Sequence, residues 1–538
     1  MGAFMRSLIA LFLVLMGASG LRLACLETGL PQTRDPDSVI VGQALVLEHQ
    51  GHWGADKVSA LYPAFLADSL AILPGKLRTS LGDQASLEEH LAAARRPDLL
   101  ARRWLALLSL LALPAVWALA RRWSSALGAT IACAFLATAL THVVFTRMAR
   151  PHGAVTAFGV LTIWALGWSL QRPGWGPVLL TGALAGLCVG CLHSGAAVLI
   201  PCLVACIWQL RSHGRVVLPK LISAIALAAA IVLWSYRFVG DKGVFDRRVM
   251  DNPLDGSGWH AILDRLWHAD PVLLVASAIG LGFVLLRLSR PANHGPARSV
   301  AWLCAIHALP YLFAIGLYRW SWLRFSLVLF PYLALLAALP FDALARTRPR
   351  LATCAALASL ALPTWASARY VWVQSQPSIL TVAAEVVEDI IEPGERVILS
   401  STATLPVAQR RESLSRMPRF LLSPWEAYLL RRPSELPLDS IDIRYLSSDR
   451  GEAWPPSEAR VAEKLRASGA RLAVVHTHEP MALQAVEAAQ GKRLMQLDPL
   501  PVGSDATREY SLLRYALDVK RMGRRTRIYS LPETAHAR

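Results

Sequence analysis

A helical protein that crosses a bilayer about eleven times, with a small α/β domain after its last span, is the fold class the sequence predicts. Three observations lead there. The 538 residues are 54% hydrophobic and only 17% charged, with a mean hydropathy of +0.39, more apolar material than a compact soluble domain can hide. The apolar residues gather in blocks of roughly 18 to 22, the length that spans a bilayer core as a helix. Beyond residue 370 the blocks stop, charge rises, and short strand-like runs (396–399, 471–476, 527–531) alternate with helical patterns (379–391, 456–467).

The first block, residues 4–24, has Arg6 in front of it and small residues at its end. That pattern admits a cleaved signal peptide or, with Cys25, a lipoprotein leader. Arg22 interrupts the apolar stretch and many spans follow, so a retained anchor is expected, with a cytoplasmic N-terminus. Further blocks run over 100–120, 126–146, 154–170, 178–192, 195–210, 221–238, 272–286, 300–317, 325–343 and 351–368. Alternation puts the Arg-rich short loops 121–122, 171–172, 211–220, 287–298 and 346–350 on the anchor's N-terminal side, where such loops belong in the cytoplasm. The other side receives a large loop (25–99), the tips at 147–152, 193–194 and 318–324, the loop 237–270, and the C-terminal part. A transmembrane domain over 1–370 and an extracytoplasmic α/β domain over 371–538 follow, in the inner or plasma membrane.

The formal net charge of +17 comes from short Arg clusters between apolar blocks, without an aromatic and basic binding motif. Orientation and contact with anionic membrane lipids account for it, and nucleic acid is excluded as a partner. Eight cysteines are too few for a disulfide scaffold. Six fall inside apolar blocks, and Cys188-Val189-Gly190-Cys191 lacks a second ligand pair, so these residues are expected to pack.

Chemistry is expected where the tips meet. The large loop opens with Arg34-Asp35-Pro36-Asp37-Ser38. Pro36 favours an extended Asp35, and residues two apart in an extended segment face the same way. Such a pair can take a proton from an acceptor hydroxyl or hold a divalent cation; it also suits a turn that caps the following helix. The tip Arg147-Met148-Ala149-Arg150-Pro151-His152 offers guanidinium groups suited to phosphate, or to lipid headgroups. His193, Arg319 and Arg324 add basic groups at the same depth. His142 and His307, inside spans, are expected to hydrogen-bond between helices, and His476-Thr477-His478-Glu479 to be loop polarity rather than a metal site.

The order of these patterns resembles the GT-C class of membrane glycosyltransferases, in its bacterial branch related to protein O-mannosyltransferases and the lipid A aminoarabinose transferase. The resemblance rests on Asp35-Pro36-Asp37, Leu61-Tyr62-Pro63, Ala101-Arg102-Arg103-Trp104, Ala149-Arg150-Pro151-His152, the helix end at 182–194, and Arg324-Phe325 six residues before Pro331. It departs where the family has Asp-Glu and, after Arg-Pro, Asp. The resemblance implies a hexosyltransferase that moves a sugar, with inversion, from a polyprenyl-phosphate donor to an extracytoplasmic hydroxyl or amine. Asp35 and Asp37 would be the catalytic or metal-associated carboxylates, and Arg150, His152, His193, Arg319 and Arg324 the donor phosphate's partners. A transporter or flippase for a lipid-linked saccharide, and a noncatalytic envelope-assembly protein, are the competing readings.

Overall fold

The computed structural model describes residues 2–31, 35, 39–50, 62–72, 77, 86–237, 253–288, 296–319, 321–392, 395–399, 405, 424–429, 439–442, 458–477, 479–500 and 512–532. Each apolar block forms a helix or a bent pair of helices. The anchor is α1 (Gly2–Leu23), and the large loop holds α2 (Val39–Gln50) and α3 (Phe65–Ile72). Next come α4 (Leu87–Leu110), opened by a Ser86/Glu89 capping box, and α5 (Ala112–Ala120). The bundle continues with α6 (Ala126–Thr138), α7 (Leu140–Thr146), α8 (His152–Gln171), α9 (Trp175–Cys191), α10 (Leu199–His213) and α11 (Leu218–Tyr236). It closes with α12 (Gly258–Ala269), α13 (Pro271–Leu288), α14 (Pro296–Leu317), α15 (Phe330–Ala345) and α16 (Pro349–Gln374).

The chain is thus a multi-pass membrane protein. Among the described residues six helical stretches are long and apolar enough to cross a bilayer, and eight if each bent pair is one span, so the expected eleven is not reached by that measure. Part of the difference lies in 193–236, which is helical throughout but folds back on itself as two helices, with His193 Nδ1 2.8 Å from Tyr236 Oη and Lys220 donating to Pro173 O, while the apolar helices Ser7–Leu23 and Trp175–Cys191 are shorter than that measure requires. Large apolar side chains such as Leu203, Ile222, Leu233, Leu286, Leu357 and Trp365 stand exposed, as lipid-facing residues do.

Small residues set a close contact between α9 and α11. Gly182, Gly186 and Gly190 lie four apart on α9 and let α11 approach, as small-residue stripes do in membranes. A Cβ at Gly182 would lie 2.3 Å from the Ala224 carbonyl oxygen, and one at Gly190 would lie 2.6 Å from Ser235 Oγ. Gly182→Val is therefore expected to lower stability by about 1–3 kcal/mol, read as a lower melting temperature in detergent. The buried Cys188 and Cys191 share this helix as packing residues.

Two ions hold the 56° bend between α6 and α7. Buried Arg22, on α1, donates to the Ala137 and Leu136 carbonyls at 2.9 and 3.2 Å. Asp270 accepts from the Leu140 and Thr141 amides at 2.7 and 3.0 Å. Cation at the C-terminal end of α6 and anion at the N-terminus of α7 match the two half-helix dipoles.

The C-terminal part contains α17 (Ile379–Ile390), β1 (Arg396–Leu399), α18 (Pro424–Leu429), β2 (Asp439–Asp442), α19 (Glu458–Ala467), β3 (Leu472–His476), α20 (Pro480–Ala488), β4 (Lys492–Leu497), α21 (Leu512–Asp518) and β5 (Thr526–Ser530). The sheet order is β2-β1-β3-β5-β4, with β1 parallel to β2 and β3, and β5 antiparallel to β3 and β4. Central β3 is buried throughout, between a core with α17 on one face and a core with α19 and α20 on the other. The sheet domain docks on the bundle through α16 and α21. Arg369 donates to the Leu517 and Val519 carbonyls at 2.6 and 3.0 Å, and the Ile379 amide donates to Met522 O at 2.9 Å.

Candidate functional site

The turn between α7 and α8 organises the site. Pro151 precedes the first turn of α8, where its missing N–H costs nothing. Gly153 allows the turn to close, since a Cβ there would stand 2.9 Å from Thr146 Cγ2 and 3.1 Å from Ser109 Cβ. The Ala149 amide is thereby presented to Asp35 Oδ2 at 2.8 Å.

Asp35 is buried, and its main partner is Arg102 on α4. Arg102 Nε and Nη2 donate to Asp35 Oδ2 and Oδ1 at 2.8 and 2.7 Å, a bidentate pair of the strong kind. Arg102 Nη1 is taken up by the Leu26 and Thr28 carbonyls at 2.5 and 2.9 Å. Burial opposes ionisation of Asp35, but Arg102, the Ala149 amide and Arg150 together hold its carboxyl below the usual carboxylate range. Because the folded pKa is depressed, this pair adds stability above the unfolded value of about 3.9 and loses it as pH falls through the folded one. Thermal stability attributable to the pair, read as the difference between wild type and Asp35→Asn, is therefore expected to be flat from about pH 5 to 8 and to shrink below about pH 4.

A divalent cation fits Asp35 poorly. Both its oxygens are engaged by a guanidinium and an amide, and Arg150 adds further positive charge beside it. Among the described residues no group of three or more His, Cys, Asp or Glu side chains converges on a point. Asp37, the other half of the acidic pair, lies outside the described residues.

Arg150 is 4% exposed, with its guanidinium 5.7 Å from the Phe145 ring centroid. It acts electrostatically on Asp35 on one side and on His152 on the other. His152, 3% exposed, stacks on Phe325 at 5.8 Å between ring centroids, and Arg324 adds its charge from the next position. Asp35, Arg150, His152 and Arg324 are therefore brought together on one face of the bundle.

His193 is tied to the end of α11. Its Nδ1 is hydrogen-bonded to Tyr236 Oη at 2.8 Å, and its 3-10 turn connects to the Arg324 segment through Tyr311. That hydroxyl bonds Ser194 and donates to the Phe325 carbonyl at 2.9 Å. Arg319 is engaged elsewhere: Nε and Nη2 each lie 2.7 Å from Asp255 Oδ2, and an isolated bridge joins Leu254 to Tyr318. Its side chain, 55% exposed, serves that loop contact.

Arg102 and Arg147 carry more of the site than their sequence context suggested. Arg102 stands with Arg103 inside the expected entry to the second span, and a charged side chain in an apolar run is the signal that marks a buried partner. Arg147 donates to the Leu21 and Ala24 carbonyls at 2.6 and 2.5 Å and to Gln374 Oε1, so it closes the end of α1. The other histidines pair between elements: His142 Nδ1 with Arg22 at 2.9 Å, His307 with Tyr332 at 2.5 Å, and His476 with Thr526 at 2.9 Å. His478 lies outside the described residues.

Residues 97–236, which contain Arg102, Arg147, Arg150, His152 and His193, match the dolichyl-phosphate-mannose-protein mannosyltransferase family. No curated protein sequence matches the chain. Among solved structures, the archaeal oligosaccharyltransferase AglB from Archaeoglobus fulgidus, in complex with an inhibitory peptide and a dolichol-phosphate, is similar over 93% of this chain and 73% of that one, at 11% identity and a TM-score of 0.52. ArnT from Cupriavidus metallidurans, bound to undecaprenyl phosphate, covers 98% of both chains at 13% identity and a TM-score of 0.49. Likeness at such identities is a likeness of fold. The chain shares the fold of the archaeal oligosaccharyltransferase, and about a quarter of its length, residues 97–236, carries the sequence pattern of the dolichyl-phosphate-mannose-protein mannosyltransferase family.

Proposed function

We propose that the protein is a glycosyltransferase that moves a sugar from a polyprenyl-phosphate donor to an acceptor hydroxyl or amine on the extracytoplasmic side, with inversion at the anomeric carbon. One observation carries the reading: the carboxylate that opens the first large loop and the basic tips of two later loops, Arg150 with His152 and Arg324, occupy one neighbourhood. A phosphate placed there meets two guanidinium groups at a membrane-embedded helix end, where water is scarce and charge stabilisation is strong.

In this reading the acceptor oxygen attacks the anomeric carbon as the bond from that carbon to the phosphate oxygen breaks. Polyprenyl phosphate leaves with the electron pair, its charge met by Arg150 and Arg324, and His152 can donate to a phosphate oxygen. The acceptor's proton goes to a carboxylate. Asp35 is badly suited to receive it, since its oxygens already accept three hydrogen bonds and its ionised form is favoured. Asp35 is better read as the group that fixes the Ala149 to Arg150 turn, and Asp37 as the proton acceptor. A transmembrane domain ending near residue 370, an inner-membrane location, a cytoplasmic N-terminus and an extracytoplasmic sheet domain complete the proposal, supported by the Arg-rich loops at the opposite end of the bundle.

The experiment is reconstitution in vesicles with labelled polyprenyl-phosphate sugar and an envelope fraction as acceptor. Labelled covalent product is expected. Unchanged donor that crosses the bilayer instead would favour a flippase, and neither outcome would leave a noncatalytic assembly role.

A further inference from the structure

A cavity of about 180 Å³ lies behind the Asp35–Arg102 pair, where the end of α1, the α7–α8 turn and the end of α16 meet the sheet domain. Arg150, His152 and Arg324 are absent from its walls, whose polar side chains are those of Asp35, held in its pair with Arg102, and of Thr28, Arg147, Tyr370, Gln374 and Ser378. Two observations make it more than a packing gap. The first is charge: Arg102 is neutralised by Asp35, whereas Arg147, 3% exposed, pairs with no carboxylate among the described residues and reaches only carbonyl oxygens and an amide. Its Nε is buried with no acceptor. Burial under those conditions pulls the guanidinium down to about 10, the mark of a cation short of counter-charge. The second is the wall opposite: Ser378 is the N-cap of α17, a 12-residue helix, so the positive end of its dipole borders the same space.

We infer that this cavity is an anion site for a phosphate group, separate from the donor's phosphate position, that ties the sheet domain to the membrane domain when filled. Its volume is well below that of pockets for whole drug-sized ligands, so it takes the phosphate and few further atoms. The phosphate can arrive free or as the headgroup of a membrane lipid. The inference does not depend on sugar transfer.

The test is thermal unfolding of the full-length protein in phosphatidylcholine nanodiscs, titrated at constant ionic strength with inorganic phosphate in one arm and dihexanoyl phosphatidic acid in the other. A saturable rise in melting temperature of a few degrees is expected in at least one arm. A rise with phosphatidic acid alone identifies the lipid headgroup, and a rise with both identifies the phosphate group itself. Tyr370→Phe, which removes one hydroxyl from the wall, is expected to weaken the half-saturation concentration about tenfold, and Arg147→Gln to abolish the shift. Arg147 also closes α1, so its variant can fail to fold; Tyr370→Phe keeps the test decisive. No saturable shift in either arm, or a shift that Tyr370→Phe leaves unaltered, overturns the inference.

Discussion

Asp37→Asn is expected to abolish sugar transfer with little change in stability, while Asp35→Asn is expected to lose both. The second effect has a direct physical cause. Removing the Asp35 charge takes the bidentate carboxylate from buried Arg102 and leaves it the Leu26 and Thr28 carbonyls and the charge of Asp98, and breaking a buried ion pair costs about 3–5 kcal/mol. The Ala149 amide loses its acceptor as well, so the turn carrying Arg150 loosens. Melting temperature and transfer rate measured side by side separate the two roles, and replacement of both by Ala should leave no transfer with membrane insertion retained. A fully active Asp37→Asn enzyme would remove that residue as proton acceptor; a stable Asp35→Asn protein would remove the ion pair as the scaffold.

Arg150→Ala is expected to lower kcat/KM by about 10²–10³, the usual loss when one preorganised charge stabiliser is removed from a transition state. The loss should fall mainly on kcat, because charge grows on the phosphate as the anomeric bond breaks. Arg324→Ala should show a similar but smaller loss, since Arg324 is half-buried rather than buried and works closer to solvent, where charge is screened. Arg319→Ala is the internal control. Its partner is Asp255, and an exposed pair contributes at most about 1 kcal/mol, so transfer should stay near wild type. Equal losses for Arg319 and Arg150 would mean that the basic tips act only as lipid anchors.

The helices were readable because lipid imposes a length and a composition on each span, and every apolar block from residue 100 to 368 coincides with helix. The bends were not. Arg22 and Asp270 lie far apart in the chain and bind the two sides of one bend only because α6 stops at Thr138; nothing periodic in the sequence marks that stop. Among the site residues, Asp35, Arg150, His152 and Arg324 stood out as charged or polar groups at tips between apolar blocks. Arg102 did not acquire a role from sequence because its partner is 67 positions away. Arg319 looked equivalent to Arg324 for the converse reason: Asp255, which takes it up, belongs to a different loop 64 positions earlier. The glycine stripe of α9 was visible as spacing, but that α11 fills it is a fact of three dimensions.

The most direct test is release of free polyprenyl phosphate from a labelled polyprenyl-phosphate sugar by the purified protein in nanodiscs supplied with an envelope extract. Release is expected for wild type, at a rate about 10²–10³ higher than for a folded Arg150→Ala protein. The contradicting result is an intact donor after prolonged incubation with wild type, or identical release by the two proteins.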